Sequence, residues 1–193
     1  MDFDRVIEER HSCRAFREKI VDWRKVVHAI EAGTKSPFAG NEQGFRFVII
    51  ENKEKIAKIA KFANQSWIAE APILIVVGND ELKLEKLYGE RGRVYSRQQA
   101  GAAIQNILLH LTNEGLGCCW VGAYTDELIK HLLGMPSHVQ IEAIIPVGYE
   151  RHEKSKKRYR HQKDLEHFMF WEAWETRRRP TIYKEPIDPT AIG

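Results

Sequence analysis

Two stretches leave this chain few choices. Residues 97–114 have helical spacing, and the segment Ala100-Gly101-Ala102-Ala103-Ile104-Gln105-Asn106-Ile107-Leu108-Leu109 is apolar nearly all round. A helix without a polar face must be buried, in the core or in a subunit interface. Gly115 is placed to stop it. Residues 71–78 (Ala-Pro-Ile-Leu-Ile-Val-Val-Gly) form a continuous apolar run, as expected of a strand covered on both faces. Two helical patterns precede the first strand pattern, and strands do not alternate strictly with helices. The fold class that follows is α+β, a small sheet with a long helix packed on it.

The remaining elements are placed by their caps and periods. Asp2 or Asp4 caps a first helix carrying Phe3, Val6 and Ile7 inward. Asp22 caps a second, with Trp23, Val26, Val27, Ala29 and Ile30 at helical spacing and Gly33 at its end. Residues 36–44 are a loop, residues 45–51 a β-branched and aromatic strand, and residues 53–62 a surface helix. A weaker helix spans 81–88. Residues 118–124 read as a strand running into a turn. Thr125 caps a helix through Leu133, and residues 139–148 are the last strand. A basic loop follows at 151–160, then a final helix at 164–176 heavy in Phe168, Phe170, Trp171 and Trp174. The tail from Arg177 has little to bury; it is either disordered or laid along another subunit.

Composition removes several classes of function. The 193 residues suit one domain with extensions, and 43% hydrophobic content supplies a core. Thirty basic residues against 27 acidic ones give a net charge of +3, too small a surplus to imply nucleic acid. Cys13, Cys118 and Cys119 are odd in number and lack paired spacing, which argues against a disulfide framework and for a reducing compartment. The adjacent pair Cys118 and Cys119 reads as buried small hydrophobes. The acidic start Met1-Asp2-Phe3-Asp4 has no apolar h-region, and no apolar run approaches a membrane span, so a cytoplasmic protein is expected. No metal-ligand spacing appears among the eight histidines.

Two motifs carry chemistry. Arg10-His11-Ser12-Cys13-Arg14 sets two guanidinium forks four residues apart, with a hydroxyl and an imidazole between. Such forks suit phosphate and carbonyl oxygens, and on a helix i and i+4 would share a face. The alternative is a solvated charged turn. In the loop Ser36-Pro37-Phe38-Ala39-Gly40-Asn41-Glu42-Gln43-Gly44, Pro37 stiffens the chain, Ala39 and Gly40 leave room near the backbone, and the Asn41 and Gln43 amides can read heterocycle edges. An ordinary polar connection is the alternative there.

Arg-x-Ser-x-Arg near the N-terminus, then Ser-Pro-x-x-Gly-Asn-x-Gln before an Arg-Phe-Val-Ile-Ile strand, resembles the nitroreductase family of FMN-dependent oxidoreductases. The likeness continues through Trp67-Ile68-Ala69-Glu70-Ala71-Pro72, the Ala-rich helix, residues 115–123, Ile145-Pro146-Val147-Gly148-Tyr149, and His167-Phe168-x-x-Trp171. It implies a sandwich-like fold, with a small, mainly antiparallel sheet surrounded by helices. It also implies a domain-swapped homodimer with FMN at the subunit interface. Residues 1–176 would be the FMN-binding domain and 177–193 an extension packing on the partner.

The resemblance also implies roles for individual residues. Arg10, His11 and Ser12 would hold the flavin, with Arg10 and His11 toward the phosphate and ribityl chain and Arg14 toward the N1–O2 edge. Pro37, Phe38, Ala39 and Asn41 would be laid against the flavin by the partner subunit. Asn64 and Gln65 would reach the pyrimidine edge, and Val121, Gly122 and Ala123 would bring backbone N–H groups to N5. Lys157, Arg158 and Arg160 would meet the phosphate. No catalytic side chain and no metal are implied, since the flavin performs the redox step.

NAD(P)H would be the co-substrate, and a nitroaromatic, quinone or similar acceptor would follow in ping-pong order. A flavin-binding relative with specialised chemistry or little turnover is the alternative, and a basic-loop protein binding anions or RNA through 151–160 a third. Gly44-Phe45 stands where the family has Pro and Trp, and Gln98-Gln99 where an Asp is common. Residues 78–96, which would cover the substrate face, are short and charged, so substrate choice does not carry over.

Overall fold

The computed structural model describes residues 1–151 and 164–179. The chain divides into two units, Met1–Lys157 and Arg158–Gly193. In chain order the first unit holds α1 (Phe3–Glu9), α2 (Trp23–Thr34), β1 (Phe45–Ile50), α3 (Lys53–Phe62), β2 (Ile73–Asp80), α4 (Leu82–Tyr88), α5 (Glu90–Asn113), β3 (Gly117–Cys118), α6 (Asp126–Leu133) and β4 (Val139–Gly148). Short 3-10 turns lie at Ala39–Asn41 and Ser66–Glu70.

The apolar run after Pro72 becomes an inner strand. The sheet runs β1-β2-β4-β3 and every pairing is antiparallel, so the expected α+β architecture with a small antiparallel sheet holds. One face presents Ile73, Ile75, Val77, Ala143, Ile145 and Val147 to α2 and to Ile104, Ile107, Leu108 and Leu111 of α5. The other presents Leu74, Val76 and Ile144 to Ile56, Ile59 and Ala60 of α3 and Ile129 of α6. Burying β2 on both faces is what its lack of alternation demands. A bulge interrupts the β2–β4 register, where Val77 opposes Ala143 and Gly78 opposes Ile141, leaving Glu142 as the extra residue.

Several boundaries differ from the sequence expectations. Helix α5 starts at Glu90 rather than Arg97, because Gly89 at φ 59° breaks the chain from α4 and Glu90 favours a first helical turn. Gly33 does not end α2. It lies inside the helix where a Cβ would fall 2.8 Å from Ile107 Cγ1, and its missing side chain lets α2 and α5 approach. Of the residues expected to face inward from α1, only Val6 is buried; Phe3 and Ile7 are 65% and 49% exposed. After Cys118 the ladder stops, and Val121 makes an isolated bridge to Ile144.

In the second unit, the helix expected at 164–176 is a single 3-10 turn at Leu165–His167, followed by bends with Glu172 and Glu175 at positive φ. Short helices draw their stability from burying a face, and here Phe168 and Trp174 are 67% and 82% exposed. Phe170 packs on Trp174 at 4.8 Å instead.

Candidate functional site

The arginine motif is extended rather than helical. Helix α1 ends at Arg10, and Ser12 forms a parallel bridge with Cys118 at the open edge of β3. The Cys13 amide donates to Cys118 O (2.9 Å), the Arg17 amide to Tyr149 O (2.8 Å), and the Arg151 amide to Ala15 O (3.0 Å). An extended backbone alternates its side chains with period two. Cys13 and Ala15 therefore go into the core while Ser12 and Arg14 stay exposed. Helical i,i+4 spacing therefore does not relate the two arginines: Arg10 caps the end of α1 and Arg14 lies on the extended segment beyond it. Among the described residues neither Arg10 nor Arg14 has a carboxylate partner. His11 is engaged elsewhere: its Nδ1 lies 2.8 Å from Glu9 O and its Nε2 2.8 Å from Glu150 Oε1. The expectation that His11 contacts the ligand stands apart from this brace.

Contacts close a ring around that face. The Arg14 guanidinium lies 5.9 Å from the Trp67 ring centre, within cation–π range. Trp67 follows Gln65, whose Nε2 donates to Ala123 O at 3.4 Å. Ala123 leads back through Val121 to Cys119. Burial pushes the Cys119 thiol up, opposed by the Arg14 charge and by a hydrogen bond with Ser12. Ser12, Arg14, Gln65, Val121, Gly122 and Ala123 thus come together, with Asn64 beside Gln65 at φ 50°.

The glycine-containing backbone is held at both ends. Val121 exchanges hydrogen bonds with Ile144 (2.9 and 3.0 Å). The Tyr124 hydroxyl donates to Ile141 O (2.6 Å), and the Thr125 amide donates to Phe62 O (3.0 Å). Burial raises the Tyr124 hydroxyl above the usual phenol range, and Asp126 and Glu142 add to that, so it stays a donor. Between these anchors the exposed Gly122 and Ala123 amides have no hydrogen-bond partner among the described residues.

The amide-bearing bend is built apart from this cluster, on α4 and α5. Gly40 and Asn41 both take positive φ, 59° and 57°. Gln43 Nε2 donates to Thr34 O (2.9 Å), which ties the loop to the end of α2. Gln99 grips it twice, accepting from the Ala39 amide (3.1 Å) and donating to Glu42 O (3.1 Å). Pro37, Phe38, Ala39, Tyr95, Gln98, Gln99 and Ala102 line a shallow cleft of about 260 Å³ beside it. Pro37 and Asn41 are exposed, Phe38 and Ala39 half-buried. Sequence reasoning noted Gln98-Gln99 only as a departure from the family's Asp and gave Gln99 no contact with the bend; it follows the polar run Ser96-Arg97-Gln98, so nothing local marks it as buried. Lys157, Arg158 and Arg160 lie outside the described residues.

The Arg14 guanidinium, the Gln65 amide and the Gly122 and Ala123 backbone amides, the last two without a partner among the described residues, form a donor set for an anionic, carbonyl-rich heterocycle. The Nitroreductase family model matches residues 7–70 and 59–149, which include the arginine motif, the bend and the glycine-lined backbone. This chain belongs to the nitroreductase family. A Methanothermobacter thermautotrophicus protein described as an NADH dehydrogenase/NAD(P)H nitroreductase is 31% identical over 154 residues, covering 77% of this chain and 78% of that protein. The FMN reductase [NAD(P)H] of Bacillus subtilis is 25% identical over 167 residues, covering 78% and 67%. The crystal structure of a nitroreductase family protein from Streptococcus pneumoniae superposes with a TM-score of 0.76 at 23% identity, over 87% of this chain and 98% of that one. Among the described residues of this nitroreductase family member, no helix is long and apolar enough to cross a membrane.

Proposed function

We propose that this chain is an FMN-dependent NAD(P)H oxidoreductase acting as a homodimer, with the flavin at the subunit interface. Bound FMN supplies the redox chemistry, accepting hydride from NAD(P)H and passing electrons to a nitroaromatic, quinone or similar acceptor in ping-pong order.

The observation that carries this reading is the convergence of Arg14, Ser12, Gln65 and the unpartnered Gly122–Ala123 amides. Each offers hydrogen to an acceptor, and among the described residues the Arg14 charge is not spent on an ion pair. Arg14 supplies fixed positive charge at the N1–O2 edge, its orientation set by Trp67. Gln65 and Asn64 serve the pyrimidine edge. The Gly122 and Ala123 amides, fixed by Val121 and Tyr124, serve N5. Arg10 and the backbone of His11 lie toward the ribityl chain and phosphate, completed by Lys157, Arg158 and Arg160.

Pro37, Phe38, Ala39 and Asn41 stand on α4 and α5, away from that cluster, as residues given to a partner's flavin would. Residues 177–193 lie along the partner in the same proposal. Steady-state kinetics test the reaction. With flavin-loaded protein, varying NAD(P)H against a nitrofuran or quinone should give parallel double-reciprocal lines, whereas a flavin-loaded protein without turnover on either acceptor class contradicts it.

A further inference from the structure

Gln99 does more than fill the core. It is buried at 4% exposure on α5, and both ends of its side-chain amide are spent on one turn of the bend. The oxygen takes the Ala39 amide at one end of the 3-10 turn, and the nitrogen serves the Glu42 carbonyl just past the other. Two further contacts reach the same turn from α4. Lys83 Nζ pairs with Glu42 Oε2 at 3.0 Å. The Tyr88 hydroxyl lies 2.9 Å from where a Cβ on Gly40 would be. The turn also holds Gly40 and Asn41 at positive φ, a shape that Gly and Asn adopt readily, so the contacts select one placement of the turn rather than force its backbone.

We propose that Gln99 is a positioning residue for flavin binding, acting through the bend. Its two-sided grip fixes the Ala39–Asn41 turn and so aims Phe38 and Asn41 at the flavin of the partner subunit. This rests on the reading that the bend is laid against that flavin. A neutral amide suits the task because the turn presents one donor and one acceptor. A carboxylate at position 99 would satisfy the Ala39 amide and repel the Glu42 carbonyl.

The test uses purified full-length protein with three substitutions. Gln99→Met keeps the volume and removes both hydrogen bonds. Gln99→Glu keeps the acceptor and loses the donor. Leu111→Ala, at the far end of the same helix, is the control for simple loss of stability. Wild-type protein should bind FMN. Gln99→Met should weaken FMN binding about ten-fold and change the visible circular dichroism of the bound flavin. Gln99→Glu should move both readouts in the same direction. Leu111→Ala should lower the melting temperature while leaving the FMN dissociation constant within about two-fold. Wild-type FMN affinity and flavin dichroism in both Gln99 variants would overturn the positioning role alone, and so would a Leu111→Ala protein that loses FMN to the same extent. Wild-type protein that takes up no FMN would overturn the functional reading and this inference with it.

Discussion

Arg14 is where charge, geometry and proposed chemistry meet. Its guanidinium has no acidic partner among the described residues and is held by the Trp67 ring. Arg14→Met should therefore cost little stability but weaken FMN binding by about 1.5–3 kcal/mol, the range for a hydrogen bond involving a charged group. Flavin fluorescence titration reads the affinity, and unchanged binding would remove Arg14 from the site. Cys118 and Cys119 are buried as the sequence suggested, and Cys13 is buried as well. Burial pushes the Cys13 thiol up to about 11 and the Cys118 thiol up to about 12. Above the ordinary thiol range of about 8.5, the unfolded chain releases protons that the folded chain keeps. Stability is thus full below that range and falls as pH rises toward 11 and 12. The urea midpoint should drop between about pH 8.5 and 11, and Cys118→Ala should flatten the drop.

At the scale of elements, what was legible in the sequence was whatever a period or a stop residue dictates. The β2 and β4 runs and the α3 and α6 boundaries follow from apolar spacing, and Gly115 and Gly134 take the positive φ of helix ends. What escaped depended on tertiary partners. Ser12 and Cys13 meet Cys118 in an isolated bridge, with the Cys13 amide donating to Cys118 O, so an extended segment replaced the helical reading. Gly33 looked like a stop because its use is to admit Ile107, which lies 74 residues on. The aromatic run near Trp171 carried helical spacing without a face buried. The grip of Gln99 on the bend spans 57 residues and leaves no local trace beyond one polar letter. The α4–α5 corner makes a sharp prediction. A Cβ at Gly92 would sit 2.1 Å from the Leu84 carbonyl oxygen, a backbone atom that cannot rotate away. Gly92→Ala should destabilise by on the order of 3 kcal/mol, read from the denaturant midpoint, and it should disturb the turn that Tyr88 supports.

For the whole molecule, the arrangement of the two half-sites matters most. The donor cluster is built beside β3 and the bend on α4 and α5, and the proposal joins them only across a dimer. Apolar side chains left exposed on α1 and α2, among them Phe3, Ile7, Trp23 and Val27, supply surface for a partner. Dimerisation and flavin binding should therefore be linked. Analytical ultracentrifugation should show a dimer that dissociates at higher concentration without FMN than with it. A monomer that binds FMN equally well would break the link.

The most direct measurement is the visible spectrum of the purified protein during FMN titration, followed by anaerobic addition of NADH and then NADPH. One FMN per chain, absorbing near about 450 nm and bleached by at least one of the two nicotinamides, is the expected result. Colourless protein that takes up no FMN at any concentration would contradict the account at its centre.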